Sequence, residues 1–149
     1  MKNVAITGIG GYLGGLLLDR LGQEDEVERI IGLDIKEPGV TSSKLKFYQQ
    51  DVRKPFADIF IDNEIDTAVH LAFQVTPIHD EKGTHSINIT GSQNFLEACE
   101  KAGASQLFYM SSYTAYGAHA DNPESISEDA PLRPAANFPY PTEIGRAHV

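Results

Sequence analysis

Residues 4–14 read Val-Ala-Ile-Thr-Gly-Ile-Gly-Gly-Tyr-Leu-Gly, an apolar run stopped by glycines that open a helix-spaced stretch. Glycines at such a junction act through what they lack. The spacing G-x-G-x-x-G from Gly8 would need glycine at position 13, where Leu13 stands. The spacing G-x-x-G-x-x-G fits Gly8, Gly11 and Gly14, leaving Gly10 incidental in that register. In a dinucleotide site the first glycine permits the tight turn, the second lets phosphate approach the backbone, and the third lets helix pack on strand. The amides of Tyr12 and Leu13, at the helix start, would then hold a pyrophosphate with help from the helix dipole. An ordinary strand-to-helix turn can carry the same glycines, so the context has to decide.

Asp34 supplies context. It closes a second apolar run twenty residues after Gly14, where a carboxylate accepts hydrogen bonds from the adenosine ribose hydroxyls. A carboxylate there repels a 2′-phosphate, which favours NAD over NADP. Lys36 is a nearby cation that could accommodate that phosphate, and Asp34 could also be a solvated strand-end residue. Both alternatives stay open on the sequence.

Strand and helix patterns alternate around these residues. Apolar runs predict strands over residues 3–7, 29–35, 45–50, 67–72 and 106–110. Helical spacing marks 11–21, with Leu13, Leu16, Leu17 and Leu21, and 87–102, with Ile87, Phe95, Leu96 and Cys99 closed by Gly103. A short helix is expected over 56–61, and 117–141, with five prolines, reads as a loop. Right-handed crossovers then give an α/β fold: a doubly wound parallel sheet of the Rossmann type, in the order 3-2-1-4-5.

Composition narrows the partners. The chain has 149 residues, 41% hydrophobic and 22% charged, which suits one domain with a real core. A net charge of −9 argues against nucleic acid or an anionic membrane surface, since both need a basic face. Cys99 is the only cysteine and lies on an apolar helical stripe, as expected of a core thiol in a reducing compartment. No hydrophobic leader or membrane-length run is seen, so a cytoplasmic location is expected. The histidines lack metal spacing, and no metal is assigned.

Taken in order, these motifs resemble the extended short-chain dehydrogenase/reductase family, the NAD-dependent epimerases and dehydratases. Thr7-Gly8-x-x-Gly11-x-x-Gly14 matches its glycine turn. Asp51-Val52 resembles the pair that reaches adenine, by carboxylate and backbone respectively. His70-Leu71-Ala72-Phe73 is similar to the fourth-strand ending that passes the cofactor's middle. Asn88-Ile-Thr-Gly91-Ser-Gln-Asn94 resembles the helix on the active-site floor, and Ser111-Ser112-Tyr113-Thr114-Ala115-Tyr116-Gly117 the segment that supplies a catalytic hydroxyl. Taken singly, each residue also has a plain structural role open to it: Asp51 a turn cap, Asn88 a polar helix face, His70 a satisfied core histidine.

The resemblance implies hydride transfer between a substrate alcohol carbon and NAD. Aligning Tyr116-Gly117 selects Ser112 for the substrate oxygen. Tyr140, after the proline loop, becomes the base, and a lysine four residues on would lower its pKa from the same helix face. Ile144 stands there instead. The substrate implied is a nucleotide-sugar or similar hydroxylated small molecule, and the full-length form is expected to be a homodimer. A non-catalytic NAD(P)-binding sensor or regulatory module is the competing reading.

The segment 143–149, Glu-Ile-Gly-Arg-Ala-His-Val, can be encoded GAG ATC GGA AGA GCA CAC GTC. From its second base that string is the start of a short-read sequencing adapter. The expectation is a native domain over 1–142, incomplete before its sixth strand, a non-native tail over 143–149 and an absent C-terminal substrate domain. Native position 144 is then expected to be lysine, the fragment is expected to lack turnover, and 117–141 to have nothing to pack against, with apolar surface exposed beside the fifth strand.

Overall fold

The computed structural model describes residues 1–75, 81–135 and 139–145. Five parallel strands form one sheet: β1 (Lys2–Thr7), β2 (Val27–Asp34), β3 (Leu45–Gln49), β4 (Thr67–His70) and β5 (Gln106–Tyr109), in the order β3-β2-β1-β4-β5. The expected order is the observed one. Central β1 is buried along both faces from Asn3 to Thr7, which is why its sequence runs apolar without alternation. Its partners are in register so that Thr7 lies beside Leu33 on one side and His70 on the other, bringing three strand ends to one edge.

Helices cover both faces. On one, α1 (Tyr12–Gly22) buries Leu18 with Val4, Ile6, Ile9 and Ile30. On the other, α2 (Ala57–Asp62) and α4 (Gly91–Ala102) close over Ala5, Ile31, Leu33 and Ala68. Phe60 stands between Phe56 and Phe95, at 5.4 and 6.3 Å between ring centroids, spacings at which aromatic pairs add to burial. Gly103 takes the left-handed conformation (φ 68°) that ends α4, as the sequence predicted. Cys99 is buried and its thiol pKa is pushed up to about 11 by that burial, so it is a core residue.

Three expectations need correction. The helix expected over 87–102 extends further back, with α3 (Glu81–His85) and a π-helical segment (Ser86–Thr90) ahead of α4; its first turn is polar and gives no apolar stripe. The fourth strand ends at His70 rather than 72. Part of the expected 117–141 loop is helical: after a 3-10 turn (Tyr113–Tyr116), α5 spans Pro139–Gly145. Proline in a helix's first turn removes no needed donor.

Nor is the region after β5 without packing. Arg133 N–H donates to Ala115 C=O at 3.1 Å, and its guanidinium grips Asp121 at 3.0 and 2.9 Å. His119 Nε2 donates to the Arg133 carbonyl at 2.6 Å. The edge strand is nevertheless open, as expected: Leu107, Phe108 and Met110 are 49%, 57% and 46% exposed. No helix among the described residues is long and apolar enough to cross a membrane.

Candidate functional site

A cleft lies outside the carboxyl ends of β1, β2 and β4, where parallel α/β sheets bind ligands. It is lined by Gly8, Gly11, Asp34, Asp51, Val52, Leu71, Ala72 and Phe73, all expected there, and by Ile35, Gln50, Arg53, Gln74 and Ile87. Arg53 and Gln74 directly follow the expected Asp51-Val52 and Leu71-Ala72-Phe73 segments in the chain.

The turn itself is built by close approach. Gly8 has φ 77°, and a Cβ there would lie 2.7 Å from the Leu71 carbonyl carbon and 2.8 Å from the Ala72 nitrogen. Only glycine satisfies both demands. A Cβ on Gly14 would collide with the Gly8 carbonyl oxygen, so the third glycine does pack helix against turn. Gly11 N–H donates to Gly8 C=O at 3.1 Å. The side chains of Tyr12 and Leu13 are 81% and 48% exposed, so any part they take in holding a phosphate is through their amides.

Gly10 is not incidental. Its N–H donates to Asp34 Oδ2 at 2.9 Å, and a Cβ there would sit 2.5 Å from the Lys36 carbonyl. Lys36 N–H donates to Asp34 Oδ1 at 3.1 Å. Two backbone amides from separate segments therefore fix the carboxylate, one on each oxygen. Register matching missed this because it scored only the repeated spacing; the signal available was a fourth glycine in the same turn.

Asp51 sits across the cleft and is gripped by Arg53, whose Nη2 lies 2.5 Å from Oδ2 and whose Nε lies 3.0 Å from each oxygen. The Arg53 hydrogen bonds hold the Asp51 carboxyl below its usual pKa against the opposing effect of burial. Val52 is buried beneath it, its carbonyl taken by Asn94 Nδ2 at 2.8 Å, and Gly91 admits it closely.

Asn88 does not line the cleft. It is fully buried in the π segment and clasps the backbone of Gln74: Gln74 N–H donates to Oδ1 at 2.9 Å, and Nδ2 donates to Gln74 C=O at 3.2 Å. Nδ2 also donates to Glu143 Oε2 at 2.6 Å, while Glu143 Oε1 meets His85 Nδ1 at 2.9 Å. Asn88 thus shapes the cleft wall through residue 74. π segments recur at functional sites because they re-aim a side chain.

Ser112 and Tyr140, far apart in sequence, come together: Ser112 hydrogen-bonds the Tyr140 phenol, although burial outweighs it and leaves that phenol above its usual pKa. Ser112 Oγ accepts from Thr114 Oγ1 at 2.9 Å. A base needs the opposite shift. Ile144, one turn further along α5, is 1% exposed and supplies no charge.

A doubly wound sheet with a glycine turn and an anchored carboxylate at one cleft defines the class of dinucleotide-binding α/β domains. Residues 4–143 match the NAD dependent epimerase/dehydratase family, and the chain belongs to it. A UDP-glucose 4-epimerase of Lactobacillus helveticus is 31% identical over 139 residues, covering 88% of this chain and 41% of that protein. A second, from Bacillus subtilis, is 30% identical over 156 residues, covering 92% and 43%. Among solved structures, the Bordetella bronchiseptica enzyme WbmG in complex with NAD superposes with a TM-score of 0.79 at 24% identity, over 98% of this chain and 48% of that one. The chain spans less than half the length of these relatives.

Proposed function

We propose that this chain is the NAD-binding part of an enzyme that oxidises and re-reduces a hydroxyl carbon of a nucleotide-sugar or similar small molecule. The observation that carries the reading is Asp34, its two oxygens held by backbone amides and its carboxylate turned into the cleft that Gly8 and Gly11 line. A carboxylate so fixed keeps lone pairs for a ribose diol and opposes a 2′-phosphate, which selects NAD over NADP. The epimerase relatives and the NAD complex of WbmG support the same reading.

The residues present fit that cofactor. Gly8 and Gly11 leave room at the backbone for a pyrophosphate, with the Tyr12 and Leu13 amides at the start of α1 as donors. Asp51 and Val52 would face the adenine; Leu71, Ala72 and Phe73 would flank the middle of the molecule. NAD supplies the hydride acceptor. Ser112 orients the substrate hydroxyl and Tyr140 takes its proton, a step that requires the Tyr140 phenol to be more acidic than it is beside Ile144. On this reading native position 144 is lysine and residues 143–149 are foreign to the gene, which sequencing the source locus across codons 143–149 checks. The protein is a cytoplasmic one with a small-molecule substrate.

A second reading, a non-catalytic NAD(P)-binding module, is favoured by one observation: the apolar, buried Ile144 at the position that should carry charge. Equilibrium titration separates the parts of the proposal. The 149-residue chain is expected to bind NAD at least tenfold tighter than NADP and to show no turnover of UDP-sugars. Equal binding of both cofactors would remove the role given to Asp34; binding of neither would remove the whole reading.

A further inference from the structure

His70 is fully buried at the end of β4, between the rings of Phe95 (4.7 Å between centroids, nearly parallel) and Phe73 (5.0 Å, edge-on). Phe73 lines the cleft, so this imidazole lies directly behind the cofactor wall. Its two nitrogens have partners on different elements. Nδ1 is 2.6 Å from Thr7 Oγ1, at the end of β1 immediately before Gly8, and Nε2 is 3.4 Å from Ser92 Oγ on α4.

The direction of every bond in this group follows from one hydroxyl. Ser92 Oγ lies 2.5 Å from the Asn88 carbonyl, which can only accept, so the single Ser92 proton is spent there. Towards its other neighbours Ser92 must accept. Tyr109 OH therefore donates to it at 3.0 Å, and His70 Nε2 must carry the hydrogen that points at it. A buried imidazole is neutral when desolvation dominates, and burial pushes His70 down to about 3. With Nε2 protonated, Nδ1 is a bare acceptor and Thr7 donates to it. The other tautomer would leave Nε2 and Ser92 Oγ facing each other without a proton between them.

We infer that Thr7, His70 and Ser92 form a one-directional hydrogen-bond chain, Thr7 O–H to His70 Nδ1 and His70 Nε2–H to Ser92 to the Asn88 carbonyl, that positions the pyrophosphate half of the dinucleotide cleft. At one end the chain fixes the residue before the glycine turn. At the other it fixes the π segment, whose Asn88 side chain clasps Gln74 of the cleft wall. Asp34 and Asp51, which would read the adenosine, lie outside it. Thr7, His70 and Ser92 are positioning residues, and their role rests on the dinucleotide reading of the cleft.

The test joins spectroscopy to selective binding. Long-range ¹H–¹⁵N correlation spectra of the whole chain are expected to show His70 with hydrogen on Nε2, none on Nδ1, and no titration from pH 5 to 9. Among the described residues the titratable group facing the ring is Tyr109, whose own pKa burial raises. Thr7→Val is expected to weaken NAD and ADP-ribose at least fivefold and leave adenosine affinity unchanged, with Thr7→Ser restoring both. Hydrogen on Nδ1, or titration within that range, overturns the inferred direction. Loss of adenosine in parallel with NAD, or no loss of either, overturns the positioning role. A wild-type chain that binds neither NAD nor adenosine instead refutes the dinucleotide reading and the positioning role with it, while the tautomer spectrum still decides the bond directions.

Discussion

The cofactor edge of the sheet and the segment after β5 are held together by different means. Around the glycine turn the chain is fixed by backbone approaching backbone: Gly8 against Leu71 and Ala72, Gly14 against the Gly8 carbonyl, Gly10 against Lys36. Nearly every buried apolar side chain lies between Val4 and Cys99; after that, among the described residues, Ala115, Pro141 and Ile144 are buried. The later segment relies on side-chain clasps such as Arg133 with Asp121, whose carboxylate is 70% exposed. Exposed pairs of that kind contribute little to stability. The difference separates a preorganised cleft edge from a looser segment in which Ser112 and Tyr140, the pair proposed for catalysis, meet without a cation beside them.

Gly14→Ala tests the rigid side most severely. Alanine is normally the better helix residue, but here its methyl group must displace the Gly8 carbonyl. NAD affinity is expected to fall at least a hundredfold, and stability by about 1–3 kcal/mol from overpacking, read by calorimetric titration and denaturant unfolding. Undiminished binding would mean that the turn yields readily, and the contrast between the two regions would collapse.

His70 gives the rigid side a pH signature. Its pKa is depressed to about 3 from an ordinary 6.5. The folded state therefore binds fewer protons than the unfolded chain between those values, and its stability is fully present above pH 6.5. Below that, this one group makes stability fall by about 1.4 kcal/mol per pH unit, until the folded pKa is reached. Unfolding free energies at pH 6, 5 and 4 should show a shallower slope for His70→Asn than for wild type. Identical slopes would mean that the histidine is not held neutral.

Gly10→Ala should cost about tenfold in NAD affinity, equivalent to about 1.4 kcal/mol and just below the range for a lost hydrogen bond to a charged group, and should narrow the preference over NADP. Gly15→Ala is the matched control, since a Cβ there meets nothing closer than Val40 at 3.8 Å. Loss of affinity in the control alone would place the sensitivity in α1 rather than in the Asp34 clasp. The smallest effect is expected on the looser side. Ile144→Lys adds a cation one helical turn from Tyr140 and should lower that phenol's pKa, followed by ultraviolet titration. An unchanged phenol would show that α5 does not hold the two side chains on one face.

Much of the binding edge was legible in the residues themselves. Apolar runs gave the five strands, most plainly β1 and β2, whose burial on both faces needs nearly unbroken hydrophobicity, and crossover handedness gave their order. Gly8, Gly11 and Gly14 were readable because a missing side chain at fixed spacing has few other uses. The polar start of α3 and the helix at Pro139–Gly145 were not, since neither has an apolar stripe long enough to register. Arg53 was not assigned to the cleft although it stands two residues after Asp51, because nothing in its type or spacing says that its guanidinium folds back on that carboxylate rather than into solvent.

The sequence by itself determined the class of fold and pointed to the glycine turn and to Asp34 as the proposed reader of the cofactor, all consequences of local pattern and crossover handedness. Only the tertiary structure decided that Gly10 and Lys36 fix Asp34, that Asn88 acts through Gln74, and which way the protons run from Thr7 to Asn88. These depend on distances between segments that are remote along the chain, and a hydrogen bond has no direction until both its partners are in place.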